Sequence, residues 1–183
     1  MTEAEKIESL IKQAQNGSQK AFDEVYEHFL TPIYRYLYLR VKHRQLAEDL
    51  TQAVFVKIYQ SLNKMTDFSK PLAYFFTIAR NTLIDHFRTH KAIDLEEERI
   101  LLNVPDSKSN PYEVTEKQDN VKSLTSLIGR LSPDQQEVII LKFINDLTNK
   151  EISVLINKSE VAIRQLQSRG IKALKNLFKE NPL

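Results

Sequence analysis

Arg164, Gln165, Ser168, Lys172 and Lys175 recur along one side of a segment near the carboxy terminus, and together they carry guanidinium, amide, hydroxyl and ammonium groups. That set offers no bond chemistry, because it holds neither a nucleophile beside a base nor a pair of carboxylates. It suits the reading of a polyanion with edges. Arg matches guanine, Gln matches adenine, and Lys neutralises backbone phosphates. On the other side of the segment Ile163, Leu166, Gly170, Leu174 and Leu177 recur at three- and four-residue steps, an apolar stripe for burial.

The elements that must hold this face can be read from their ends. Ser132-Pro133-Asp134-Gln135 and Thr148-Asn149-Lys150-Glu151 each put a hydroxyl three residues before a Gln or Glu, the reciprocal cap of a helix start. Asn157-Lys158-Ser159 breaks the second of these helices, since Asn accepts the left-handed conformation, and Ser159 caps a third helix running to about Lys179. A short helix, a tight turn and a longer basic helix predict a helix-turn-helix shaped for a DNA major groove. A basic face alone is equally the solvated side of any surface helix, so the first half of the chain must decide.

In that half the punctuation predicts five helices: about Glu3 to Gln15, stopped by Asn16-Gly17; Gln19 to Phe29; Pro32 to Val41; Gln45 to Leu62; and Lys70-Pro71 to His90. Phe22, Tyr26, Phe29, Phe55 and Phe76 fall at core spacing. In the fifth helix Leu72, Phe76, Ala79, Leu83 and Phe87 form one apolar stripe, with Tyr74, Thr77, Asn81, Asp85 and Arg88 on the other side. A ring, hydroxyls, an amide and a guanidinium on one face suit stacking on and hydrogen bonding to an unpaired base. The loop before it, Lys64-Met65-Thr66-Asp67-Phe68-Ser69-Lys70, could form a pocket for an extruded base.

Composition narrows the class. With 183 residues, 42% of them apolar, and only 3 Gly and 6 Pro, the chain reads as all-α. The net charge of +2 is unevenly spread: Lys and Arg against Asp and Glu number 12 to 10 over residues 1–90, 4 to 8 over 91–120, and 10 to 6 over 121–183. An acidic, Pro-punctuated stretch over 93–117, including Val104-Pro105 and Asn110-Pro111, is expected to link a helical domain of residues 1–92 to one of residues 118–183. The absence of Cys fits a reducing compartment, and no apolar run suggests a signal peptide or a membrane span, so a cytoplasmic protein is expected. There is no phosphate loop, dinucleotide fingerprint or paired-His metal motif, so neither an enzyme nor a cofactor, metal or small-molecule substrate is expected. His28, His43, His86 and His90 are scattered, and Glu96-Glu97-Glu98 reads as a solvated run.

Taken in order, Ala47-Glu48-Asp49-Leu50-Thr51-Gln52-Ala53-Val54-Phe55-Val56-Lys57-Ile58-Tyr59, then Ala73-Tyr74-Phe75-Phe76-Thr77-Ile78-Ala79-Arg80-Asn81, then the helix-turn-helix after Leu131-Ser132-Pro133, resemble an extracytoplasmic-function (ECF) sigma factor of the sigma-70 family over nearly the whole chain. The resemblance implies a transcription initiation factor whose partners are core RNA polymerase, through its β′ and β subunits, promoter DNA and an anti-sigma factor. It implies that Asp49, Gln52, Phe55 and Lys57 dock on the β′ coiled coil. Lys64, Thr66, Asp67, Phe68, Ser69, Tyr74, Thr77, Arg80, Asn81 and Arg88 are then expected at the melted minus-ten element. Ser159, Glu160, Arg164, Gln165, Ser168, Arg169 and Lys172 are expected on the minus-thirty-five duplex. The chain departs from the family pattern at Ala53, where Glu is usual, and at Asp146 and Asn157, where Gly is common. It has no Trp in the melting region, which leaves Tyr74, Phe75 and Phe76 as its rings. The rival reading is a dimeric helix-turn-helix regulator that does not bind polymerase; it would need a dimerisation face, and the sequence offers no heptad seam.

Overall fold

The computed structural model describes residues 2–68, 70–97 and 124–180. They divide into two compact units, one of residues 2–37 and 45–97, the other of residues 38–44 and 124–180. Every regular element among the described residues is helical, as the composition predicts.

The first unit begins with α1, Glu3–Gln15, capped as a box: the Thr2 N–H donates to Glu5 Oε2 at 2.7 Å, and the Glu5 N–H donates to Thr2 Oγ1 at 3.3 Å. Next comes α2, Gln19–Val41, a single helix of 23 residues with Pro32 inside it. The sequence reading broke the chain between Phe29 and Pro32, and the structure corrects this. An internal proline costs about 3 kcal/mol. Ile33, Tyr36 and Leu37, all fully buried just beyond it, each return roughly 1.5–3 kcal/mol and outweigh that cost.

α3, Arg44–Ser61, runs into a short 3-10 turn, Leu62–Lys64, and α4 spans Pro71–Glu97. α4 therefore continues past the expected end near His90, taking residues 93–97 out of the expected linker and into helix; the rest of that linker, from residue 98, lies outside the described residues. Its first turns bury two adjacent rings where the sequence reading counted only one as core. Phe75 packs edge-on against Phe29 at 4.7 Å, and Phe76 against Tyr36 at 5.3 Å. Neither ring is left for DNA. Conversely, Phe87, assigned to the apolar stripe, is 42% exposed.

The second unit holds α5 over residues 124–129, α6 at Pro133–Ile139 continued by a π-helical turn at Ile140–Ile144, α7 at Asn149–Ile156 and α8 at Glu160–Glu180. Ile128, Val138, Ile140, Leu141, Leu147, Ile152 and Ile163 are buried at its centre. Both expected capping pairs are present. The Ser132 N–H donates to Gln135 Oε1 at 3.3 Å, and the Thr148 N–H donates to Glu151 Oε2 at 2.8 Å. Asn157 takes the left-handed conformation with φ 53 and ψ 52, which ends α7 and turns the chain into α8. Asp146 is also left-handed, with φ 56, at the turn before α7.

Candidate nucleic-acid and polymerase interfaces

α8 starts where the Ala162 N–H donates to Ser159 Oγ at 3.2 Å. Ile163 and Gly170 are buried against the rest of the unit, with Leu166, Leu174 and Leu177 partly covered. Arg164, Gln165, Ser168, Arg169, Lys172 and Lys175 are all exposed on the opposite side, as are Ser159 and Glu160 at the helix start. The structure thus brings Arg164, Gln165, Ser168, Arg169 and Lys172 to one exposed face, while Ser159, exposed at the helix start, spends its hydroxyl on the cap. An open groove of about 550 Å³ runs along its edge, lined by Arg164, Gln167, Ser168, Ile171, Lys172 and Lys175.

Two contacts tie that face to the rest of the unit, and a third lies within α8 itself. Gln167 Nε2 donates to Asn149 Oδ1 at 2.7 Å, tying α8 to the start of α7. Lys158 in the turn pairs with Asp134 at 3.0 Å. Arg164 Nη1 stands 3.8 Å from Glu160 Oε2 one turn back, an exposed pair that contributes at most about 1 kcal/mol and yields readily to a base or phosphate. Gln167 and Ile171 were missed from the sequence because they sit between the polar and apolar arcs.

In the first unit α3 and α4 flank a shallow groove of about 320 Å³ lined by Lys57, Gln60, Ser61, Lys64, Ile78, Asn81 and Thr82. Thr77, Asn81, Asp85 and Arg88 are exposed along α4, while Arg80 is half-buried. Lys64, Thr66 and Asp67 are exposed at the mouth of the loop, Phe68 is half-buried, and Ser69 lies outside the described residues. Tyr74 is also half-buried; its hydroxyl donates to the Ser61 carbonyl at 3.1 Å, so the ring braces the end of α3.

Of the four residues expected at the polymerase, Phe55 and Lys57 do not share an exposed face with Asp49 and Gln52. Phe55 is buried, its ring 4.5 Å from Tyr26. Lys57 lies in the groove with Asn81, where Nζ donates to Thr82 Oγ1 at 3.1 Å. Asp49 and Gln52 do share an exposed face of α3, and the residues that continue it are Val56 and Tyr59, each 55% exposed. Their spacing of three, four and three residues keeps all four within one quadrant of the helix. The signal for this was available in the sequence: two apolar residues in register with Asp49 and Gln52, away from the stripe of Ala47, Leu50, Val54 and Ile58.

The family Sigma-70 region 2 matches residues 25–93, and the family Sigma-70, region 4 matches residues 122–174. The chain is 30% identical to the ECF RNA polymerase sigma factor SigM of Bacillus subtilis, over 85% of this chain and 94% of that protein. The chain belongs to the ECF RNA polymerase sigma factors. This sigma factor is also 29% identical to BldN of Streptomyces coelicolor over 98% of its own length and 69% of the relative's. Its fold is that of the sigma factor RpoE solved in complex with the anti-sigma factor NepR from Bartonella quintana, with a TM-score of 0.74 at 21% identity over 88% of this chain and 99% of that one.

The matched segments contain the three surfaces just described. The region 2 match holds the exposed face of α3, the loop and α4, and the region 4 match holds α6, α7 and most of α8. α1 precedes the first match. Among the described residues of this sigma factor, no helix is long and apolar enough to cross a membrane.

Proposed function

We propose that this sigma factor docks on core RNA polymerase through the α3 face of Asp49, Gln52, Val56 and Tyr59 and carries the enzyme to promoters with two elements. α8 reads the minus-thirty-five duplex. The loop from Lys64 to Ser69, with Asn81 and Arg88 on α4, receives the minus-ten strand. The observation that carries this reading is the two-sidedness of α8: Ile163 and Gly170 are buried while Arg164, Gln165, Ser168, Arg169 and Lys172 stand exposed directly opposite. A helix held by one face presents the other to a groove, where Arg and Gln discriminate base edges and Lys adds salt-dependent affinity.

Melting needs no bond chemistry. Extruding a base costs a few kcal/mol, and contacts in the loop together with cationic neutralisation of the strand offset it. Lys57 and Lys64 beside Asn81 supply two such cations. The protein acts as a binding and melting factor in the cytoplasm, without catalytic residues of its own. The α3 face is also the surface an anti-sigma partner would cover to hold the factor back, and the first domain extends through the end of α4 at residue 97 before the segment that connects it to the second.

Run-off transcription with purified bacterial core polymerase on a genomic fragment library, with and without this sigma factor, tests the reading. Factor-dependent starts sharing two spaced elements are expected. Duplex binding at two-fold symmetric sites with no new starts would overturn it in favour of a dimeric regulator.

A further inference from the structure

The loop proposed to capture a base is held from behind by a residue on α1. Gln15 Nε2 donates to the Leu62 carbonyl at 2.7 Å and to the Met65 carbonyl at 2.9 Å. Both partners are acceptors, which fixes the orientation of the amide, because only its NH2 end can serve two carbonyls. The Met65 carbonyl lies just past the 3-10 turn, and the Leu62 carbonyl, which opens the turn, takes Gln15 as a second donor beside its turn bond. The Met65 N–H closes the same turn onto the Leu62 carbonyl at 3.0 Å, and the Met65 backbone is extended, with φ −75 and ψ 116. Gln15 therefore spans the point at which the chain leaves the helix and heads into Thr66, Asp67 and Phe68.

Two further contacts complete the brace. One turn earlier on α1, Lys12 Nζ lies 5.2 Å from the centroid of the Phe68 ring and is itself held by Glu8 at 2.6 Å. From the other side the Tyr74 hydroxyl takes the Ser61 carbonyl. Met65 is itself buried, so the exit point is fixed by packing as well as by hydrogen bonds. A loop ordered before its ligand arrives gives up less conformational entropy on binding, and its selectivity depends on that order.

We infer that Gln15 is a positioning residue for base capture: it sets the shape of the Lys64-to-Phe68 loop from α1, outside the segment that matches sigma-70 region 2. The inference rests on the reading of that loop as the site that receives an unpaired base. Gln15 touches no DNA; it acts through the two carbonyls, and its loss blunts the choice of base rather than the attraction to phosphate.

The test uses full-length protein assembled with core polymerase and fork-junction DNA whose unpaired minus-ten strand is randomised, with the bound fraction sequenced to give base preference at each position. Gln15→Met keeps the length of the side chain and removes both donors. It is expected to lower the preference at the captured position by about fivefold or more, the factor carried by one net hydrogen bond. Affinity for core polymerase and for the minus-thirty-five duplex should stay within about twofold, which a general loss of fold would not allow. Gln15→Lys retains donors for both carbonyls and should retain the preference; a folded Gln15→Lys protein with flattened preference overturns the inference. Phe68→Ala separates the two ideas. If Phe68→Ala flattens the preference and Gln15→Met does not, the positioning role is wrong and the loop reading stands; if the wild type shows no preference there, or Phe68→Ala leaves it intact, the loop reading falls and this inference with it.

Discussion

Gly170 on α8 lies so close to Ile139 on α6 that a Cβ added there would come within 2.9 Å of Ile139 Cγ1 and 3.1 Å of its Cδ1. The reading helix is seated on the unit through this bare stretch of backbone. Gly170→Leu should destabilise the second unit by about 1–3 kcal/mol through overpacking and weaken duplex binding in parallel. Gly170→Ala should fall within about 1 kcal/mol of wild type, since a gain of roughly that size in helix propensity offsets the crowding. Urea unfolding of the two variants measures both.

Along the opposite face of α8, Arg164 and Lys172 should fail in different ways. Arg164→Ala is expected to relax discrimination at one base pair by about 1–3 kcal/mol. Lys172→Ala should weaken binding to all sequences alike and reduce the salt slope by about one. Titrations on the preferred duplex and single-base variants, each at several salt concentrations, distinguish them. A uniform loss for Arg164→Ala would make it a phosphate contact.

The division of α3 into two sides predicts a division of phenotypes. Val56→Asp, on the side of Asp49 and Gln52, should lower affinity for core polymerase by about tenfold or more, equivalent to roughly 1.4 kcal/mol. Lys57→Ala, on the groove side, should leave core affinity nearly unchanged and slow promoter melting. Competition for core polymerase against a labelled sigma factor reads the first effect, and a fluorescent base in the minus-ten strand reads the second.

Asn81 is exposed in the groove beside Lys57 and Lys64. Asn81→Ala should therefore impair open-complex formation more than closed-complex binding. Permanganate footprinting against filter binding compares the two stages; equal losses would remove Asn81 from the melted strand.

Asn157 and Asp146 occupy left-handed backbone, with φ 53 and 56. Ala in that conformation costs about 1–2 kcal/mol, although Asn and Asp already carry part of this penalty. Asn157→Ala should thus lower the stability of the helix-turn-helix by about 1 kcal/mol, whereas Asp146→Gly should be neutral or stabilising. Thermal unfolding followed by circular dichroism gives the sign of each.

Local interactions made part of this protein legible in its sequence. The Thr148 and Glu151 cap, the left-handed Asn157, the Ser159 cap and the two faces of α8 all depend on residues within a turn or two of one another, and all stand where the spacing places them. What the sequence left open was decided by distant chain. Pro32 stays inside α2 because Ile33, Tyr36 and Leu37 find partners elsewhere in the unit, and Phe75 is buried because Phe29 meets it across α2 and α4. Lys57 belongs to the groove because Thr82 reaches it from another helix, and Gln15 reaches the loop across separations of 47 and 50 residues. Helical periodicity assigns a residue to an arc of its own helix; which neighbour covers that arc, and which is left to solvent, is settled only when the helices pack.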